Sequence, residues 1–377
     1  MDSITHSKRK SNFELLRIFA MLIIVACHYG THGIERLYES GQLQQWSEGS
    51  VSHKLFTCFL VPGGETGVAI FFMLTGYFMI NKNHFSLLKV ILECIFYGIF
   101  TGIIYIILKP VGILNQYIGI YDLIKQTMIP VSGGAWWFPT AYVLLLVISP
   151  LLNRFLNGLN DKGFFGFLLI DWLLWYVVPM VLGGGYTGLE RGIFFYTLGS
   201  AIRTRHIQKD NKRLLYIILF VIGWTGFSLL DYRWTAIWNA DLINGYSKTG
   251  TLIRMLITGI NSGIFVPLCA LSIFMLFETL KVGSKAVINT LAACTFGVYL
   301  LHDSLVGGTL FWKIIFNVAE RQYFSRFYPV LAIGTIAIIY VICSLIDFIR
   351  LKVFETRALK IANKIITNWK EKYSTKQ

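Results

Sequence analysis

Residues 13–30, FELLRIFAMLIIVACHYG, decide the fold. As a helix rising 1.5 Å per residue this run spans most of a bilayer's hydrocarbon core, and only Glu14, Arg17 and His28 interrupt its apolar character. Nine further apolar runs follow, giving expected crossings near residues 13–31, 62–81, 87–109, 136–153, 163–182, 190–203, 214–230, 255–278, 286–307 and 329–350. The stretch from 111 to 135 reads as a re-entrant or interfacial segment. Composition agrees: 55% of the 377 residues are hydrophobic and 14% charged, and the mean hydropathy is +0.60. Ordinary globular chains carry about 25% charge. The expected fold class is all-α, a polytopic membrane protein of about ten transmembrane helices. A soluble two-domain enzyme, a β-barrel, a disordered chain and a disulfide scaffold are excluded.

Lys and Arg number 34 against 20 Asp and Glu, a formal charge of +14. With ten crossings both termini share a side, and assigning that side to the cytoplasm puts about twice as many Lys and Arg inside as outside. Orientation and contact with anionic lipid thus account for the charge without nucleic acid. The expected organisation is a basic cytoplasmic N-terminus (1–12), a transmembrane domain (13–350) and a basic amphipathic tail (351–377) with Lys352, Arg357, Lys360, Lys364, Lys370 and Lys372. The first run lacks a small-residue cleavage site, so it reads as a retained helix. The six cysteines form no CxxC pair and read as small core residues.

Ionisable groups inside spans are costly, so they are the first candidates for function. Arg17 and His28 are eleven residues apart, which is three turns plus about 20°, and they therefore share one helix face at a separation of about 16 Å. Glu14 lies one turn before Arg17 and can pair with it. Either Arg17 snorkels and His28 is an interfacial histidine held by a carbonyl, or the two serve a common function.

The pattern Glu14-x-x-Arg17 with ten residues before His28 resembles the first helix of the acyltransferase 3 family of bacterial integral-membrane acyltransferases, many of which O-acetylate envelope carbohydrates. Phe71-Phe72-Met73-Leu74-Thr75-Gly76-Tyr77 is similar to the family's second span. Trp137-Phe138 with Tyr142 and Ser149-Pro150-Leu151-Leu152-Asn153 resembles a later one, and Phe296-Gly297-Val298-Tyr299-Leu300-Leu301-His302 its late Tyr-Leu-x-His-type helix. The resemblance covers roughly residues 11–350. It implies a multi-pass enzyme of the bacterial cytoplasmic membrane that moves an acyl group, most often acetyl from acetyl-CoA, to a carbohydrate hydroxyl. His28 would be the general base, and Arg17 with Glu14 would hold the donor. To these we add Arg203 and Arg205 as further donor contacts, against the alternative of an ordinary basic inner loop. His302 and Asp303 are expected at the level of His28 as its orienting partners, against the alternative of an interfacial helix end. Glu65, beside Gly63, Gly64 and Gly67, is a candidate acceptor contact, as is Trp137.

Trp136, Trp137, Trp172, Trp175, Trp234 and Trp238 fit an aromatic belt, although such rings also stack on sugars. Thr75 and Gly76 fit close helix packing or passage of a pantetheine arm. Gly183-Gly184-Gly185 reads as a turn. His6, His32, His53, His84 and His206 are read as loop or tail residues without metal-ligand spacing, so no metal is expected. The rival class is a permease or lipid-linked glycan flippase with Arg17 and His28 along its path. Such a protein is expected to show paired repeats with broken spans, and neither is visible.

Overall fold

The computed structural model describes residues 11–34, 46, 48–82, 87–131, 136–182, 188–205, 212–355, 357–362 and 364. Helices account for nearly all ordered elements, and no strand occurs among the described residues. In chain order they are α1 (Ser11–Gly33), α2 (Val51–Leu60), α3 (Pro62–Met79), α4 (Leu87–Leu108), α5 (Ile120–Met128), α6 (Trp137–Gly158), α7 (Asp161–Trp172, continued through a π-helical turn, Leu173–Val177, by the short helix Val178–Leu182), α8 (Gly188–Thr204) and α9 (Arg213–Asn244). There follow α10 (Lys248–Ile260), α11 (Val266–Glu278), α12 (Ala286–Ala293), α13 (Thr295–His302), α14 (Leu305–Gly308) and α15 (Tyr328–Arg350).

Each of the ten expected crossings coincides with a helix, but not all are simple spans. Among the described residues eight helices are long and apolar enough to cross a membrane, and nine if the bent pair Ala286–His302 with Leu305–Gln322 is one span. That pair breaks by 77° where a straight crossing to 307 was expected. The break has a local cause. Ser304 is extended, and its hydroxyl accepts from the Gly307 N–H at 2.9 Å, capping a new helix that starts at Leu305, two residues after Asp303. The remaining crossing is α8, only 17 residues long.

Helix α8 lies almost wholly inside the protein, pressed on α3. A methyl group on Gly76 would overlap the Tyr196 carbonyl, and one on Gly199 would overlap the Met73 carbonyl. The two backbones therefore meet through reciprocal glycines, the approach that small residues permit between membrane helices. Close packing is the role the structure gives Gly76, and the Thr75 hydroxyl donates to the Phe71 carbonyl of its own helix. Asn153 of the Ser-Pro-x-x-Asn stretch closes the far end of α3. Its amide donates to the Met79 and Lys82 carbonyls at 2.8 and 3.2 Å and its oxygen accepts from Tyr196 at 2.6 Å, so orphan carbonyls at a helix end find donors.

The outer surface is apolar where lipid would lie. Ile95, Ile99, Ile103 and Ile106 on α4 and Val330, Ile333, Val341 and Leu345 on α15 are exposed, while Tyr97, Thr101, Asp347 and Arg350 of the same helices are buried. This reversal of the soluble pattern is that of a polytopic membrane protein. All six cysteines are free and buried. The segment 111–135 contributes the short α5, whose Gln126 side chain donates to Thr101 and accepts from the Leu305 N–H, tying α4 to the helix break. Past Arg350 the helix runs on through a π-helical turn, Leu351–Glu355, with no interruption at residue 351. His6, His84, His206, the turn expected at 183–185, the first ten residues and the last part of the basic tail lie outside the described residues.

Candidate active site

The alternation of helix directions gathers the C-terminal half of α1, the start of α3, the starts of α6 and α8, the later part of α9 and the end of α13 at one end of the bundle. There they enclose a cavity of about 700 Å³ lined by, among others, His28, His32, Glu65, Trp137, Arg191, Asp231, Trp234, Trp238, Tyr299 and Asp303. Three glycines let α3 stand close enough to α1 for this. Side chains at Gly63 and Gly67 would strike the Ile23 and Ala20 carbonyls, and one at Gly64 would strike Cys27.

One wall is a histidine chain. His302 is fully buried, and its Nδ1 lies 2.6 Å from the Val298 carbonyl one turn earlier in α13. A carbonyl only accepts, so His302 Nδ1 donates and its Nε2, in the neutral ring, is an acceptor. His28 Nδ1 stands 2.9 Å from that Nε2 and must donate to it. The proton of neutral His28 is thereby held on Nδ1, and the lone pair of the ring falls on Nε2. Asp303 sits 3.4 Å from the same Nδ1, where its carboxylate stabilises an imidazolium if Nε2 takes up a proton. The chain depends on the helix break, which ends α13 at His302 and leaves Asp303 at the bend.

His32 and His53 lie in helices, α1 and α2, rather than in loops or tails. His32 is one turn after His28, with the rings edge to face at 4.7 Å, and its Nε2 is 3.7 Å from Asp303. Each of His28, His32 and Asp303 offers one ligand atom, all within 4.8 Å of one another, so the absence of metal-ligand spacing expected for His32 is corrected. Its signal was in the sequence, four residues after His28 on one helix.

The opposite wall is aromatic and acidic. Glu65 is 3.4 Å from Arg191, whose guanidinium lies over Trp137 at 5.7 Å. Trp234 and Trp238 stack at 5.7 Å, and Arg254, paired with Asp241 at 3.0 Å, covers Trp238 at 4.5 Å. Trp137, Trp234 and Trp238 thus line the cavity and Trp136 is fully buried, which corrects the belt reading for these four. One oxygen each of Glu65 (Oε2), Asp231 (Oδ2), Thr235 (Oγ1) and Asn261 (Oδ1) on this wall meets no protein donor among the described residues. Arg191, Asp231, Trp234 and Trp238 escaped the sequence reading as site residues, since single residues at or just past the ends of the expected spans resemble interfacial anchors until their neighbours are known.

The other expected residues lie at the far end of α1. Arg17 pairs with Glu14 at 2.7 Å and lies 5.8 Å from the Phe78 ring, while Arg203 lies over Tyr77 at 5.3 Å. Tyr77 in turn donates to Glu278 at 3.0 Å. Arg17 and Arg203 therefore flank adjacent aromatic residues at the end of α3. Arg205 turns away: it reaches Asp161 at 3.0 Å and the Leu156 and Leu159 carbonyls at 2.9 Å, capping the end of α6.

No curated protein and no solved structure matches the chain. The family model described as an acyltransferase domain, acyltransferase 3, matches residues 10–346, nearly the whole length. Its span takes in both the histidine wall and the Arg17 end, and the chain belongs to this family of membrane acyltransferases.

Proposed function

We propose that the protein transfers acetyl from acetyl-CoA to a hydroxyl of a cell-envelope polysaccharide or glycoconjugate, in the bacterial cytoplasmic membrane with both termini cytoplasmic. The observation that carries the reading is the Val298–His302–His28 hydrogen-bond chain beside Asp303 on a cavity wall. It leaves His28 Nε2 as the proton acceptor. The acceptor hydroxyl gives its proton to Nε2 as its oxygen attacks the thioester carbonyl. The C–S bond then breaks, the imidazolium returns the proton to the thiolate, and an ester and free CoA result. Asp303 stabilises the intervening imidazolium. Stacked tryptophans and unmatched oxygens facing this wall suit a ligand rich in hydroxyls. Arg17 and Arg203, about 16 Å away along α1, would bind the donor's phosphates. A transport path through Arg17 and His28 finds less support, since His28 lines the cavity and Arg17 does not.

The test is proton NMR of ester-linked acetate on purified envelope polymers from cells with and without the gene. Acetate that appears only with the gene supports the reading and names the acceptor. Unchanged polymers, together with purified protein that releases no CoA from acetyl-CoA in their presence, overturn it. In the purified enzyme Arg17→Ala is expected to raise the KM for acetyl-CoA by at least about tenfold with little change in kcat, the loss of one charge-assisted contact. A fall in kcat at unchanged KM would remove Arg17 from donor binding.

A further inference from the structure

His28, His32 and Asp303 hold a feature that acyl transfer does not call for. His28 Nδ1 lies 3.4 Å and His32 Nε2 3.7 Å from one oxygen of Asp303, and the three ligand atoms fall within 4.8 Å of one another. Zinc binds imidazole nitrogen and carboxylate oxygen at about 2.0–2.2 Å, so tetrahedral neighbours stand about 3.3–3.5 Å apart. The two distances to Asp303 stand within a few tenths of an ångström of that spacing, and the two imidazole nitrogens lie within 4.8 Å of each other. The two histidines are one turn apart on α1, a helical spacing suited to a shared ion, and Asp303 is presented by the helix break of another segment. Two imidazoles and one carboxylate are a donor set for zinc-class divalent ions, and because all three residues line the cavity the remaining coordination position opens to it.

We propose that His28, His32 and Asp303 bind a zinc-class divalent cation, and that its binding switches the acyltransferase off. The switching half rests on the function proposed above. Ligation through Nδ1 requires the proton that His28 holds there to move to Nε2 of the same ring, so that Nδ1 no longer donates to His302. A neutral imidazole ligated at Nδ1 carries its one proton on Nε2, the atom that must accept the acceptor's proton. The ring stays neutral, no net proton is released by it, and its basic lone pair is consumed. The ion would also fill the ground beside Asp303 that stabilises the imidazolium.

Cobalt(II) serves as the spectroscopic probe. Full-length protein purified in detergent, stripped of metal and desalted, is expected to take up one equivalent of cobalt with visible d–d bands that zinc abolishes. His32→Ala and the bulkier His32→Gln, each checked for monodisperse elution, should weaken binding by more than about a hundredfold, beyond what loss of an outer-shell partner costs. Zinc should suppress CoA release by the wild type at concentrations that leave each His32 variant at its own metal-free rate. No equimolar uptake of cobalt, or uptake unchanged in both His32 variants, overturns the site. Turnover that rises with metal overturns the switch. If the wild type shows no turnover with or without metal, the acyltransferase reading and the switch fall together, while the cobalt titration still decides the site.

Discussion

His28→Ala is expected to lower the rate of acyl transfer by about 10²–10⁴-fold, the contribution of a positioned general base. Val298 can only accept, which commits His302 Nδ1 to donate, and this in turn commits His28 Nδ1 to donate to His302 Nε2 at 2.9 Å. Every link turns the lone pair of His28 to Nε2. Alanine removes that lone pair and leaves His302, fully buried, with an acceptor nitrogen that no longer meets a donor from His28. The measurement is CoA release by equal amounts of purified wild type and variant. The KM for acetyl-CoA should be little changed, because the Arg17 end lies about 16 Å along the helix. A variant that keeps within about threefold of the wild-type rate would remove His28 from the chemistry, since that lies far below the effect of a lost base.

Arg350→Met is expected to destabilise the folded protein by about 3–5 kcal/mol, the loss seen when one partner of a buried ion pair is removed. Arg350 lies among three carboxylates: Glu93 at 2.9 Å, Asp347 at 2.5 Å and Glu355 at 3.1 Å. Glu93, Asp347 and Arg350 are buried, and Tyr97 donates a further hydrogen bond to Asp347 at 2.8 Å. Lys89 holds Glu355 from the other side at 2.8 Å. Methionine fills similar space but leaves Glu93 and Asp347 without their guanidinium, at a packed junction of α4 and α15 where water is scarce. The readout is the apparent melting temperature in detergent. Arg350→Met should melt well below the wild type, and adding Glu93→Gln and Asp347→Asn should recover much of the loss. An unchanged melting temperature for Arg350→Met would show that the network contributes little.

Much of this protein was legible in the sequence because a bilayer imposes strong rules. About 20 apolar residues must form a helix to satisfy their backbone, so the runs near 13–31, 87–109 and 329–350 could hardly be anything else. The Arg17 and His28 spacing placed two polar groups on one face of one helix, and direction counting set His302 and Asp303 at the level of His28. That count holds for any antiparallel bundle.

Which residues share a cavity was not written in that periodicity. His32 read as a loop residue until α1 was seen to continue to Gly33, and Trp234 and Trp238 read as interfacial anchors until α9 turned them inward over Arg254. The bend after His302 depends on one hydroxyl, Ser304, capping a new helix, an effect too local for hydropathy to register. Hydropathy reports the depth of a residue along its helix. The rotation of each helix about its axis, and so whether a polar group meets lipid, a neighbour or a cavity, is set by packing across helices distant in sequence: Gly76 on Tyr196, Gly199 on Met73, Gly63 on Ile23. Depth therefore came from the sequence alone, and the proton chain from Val298 to His28 came only with the tertiary structure.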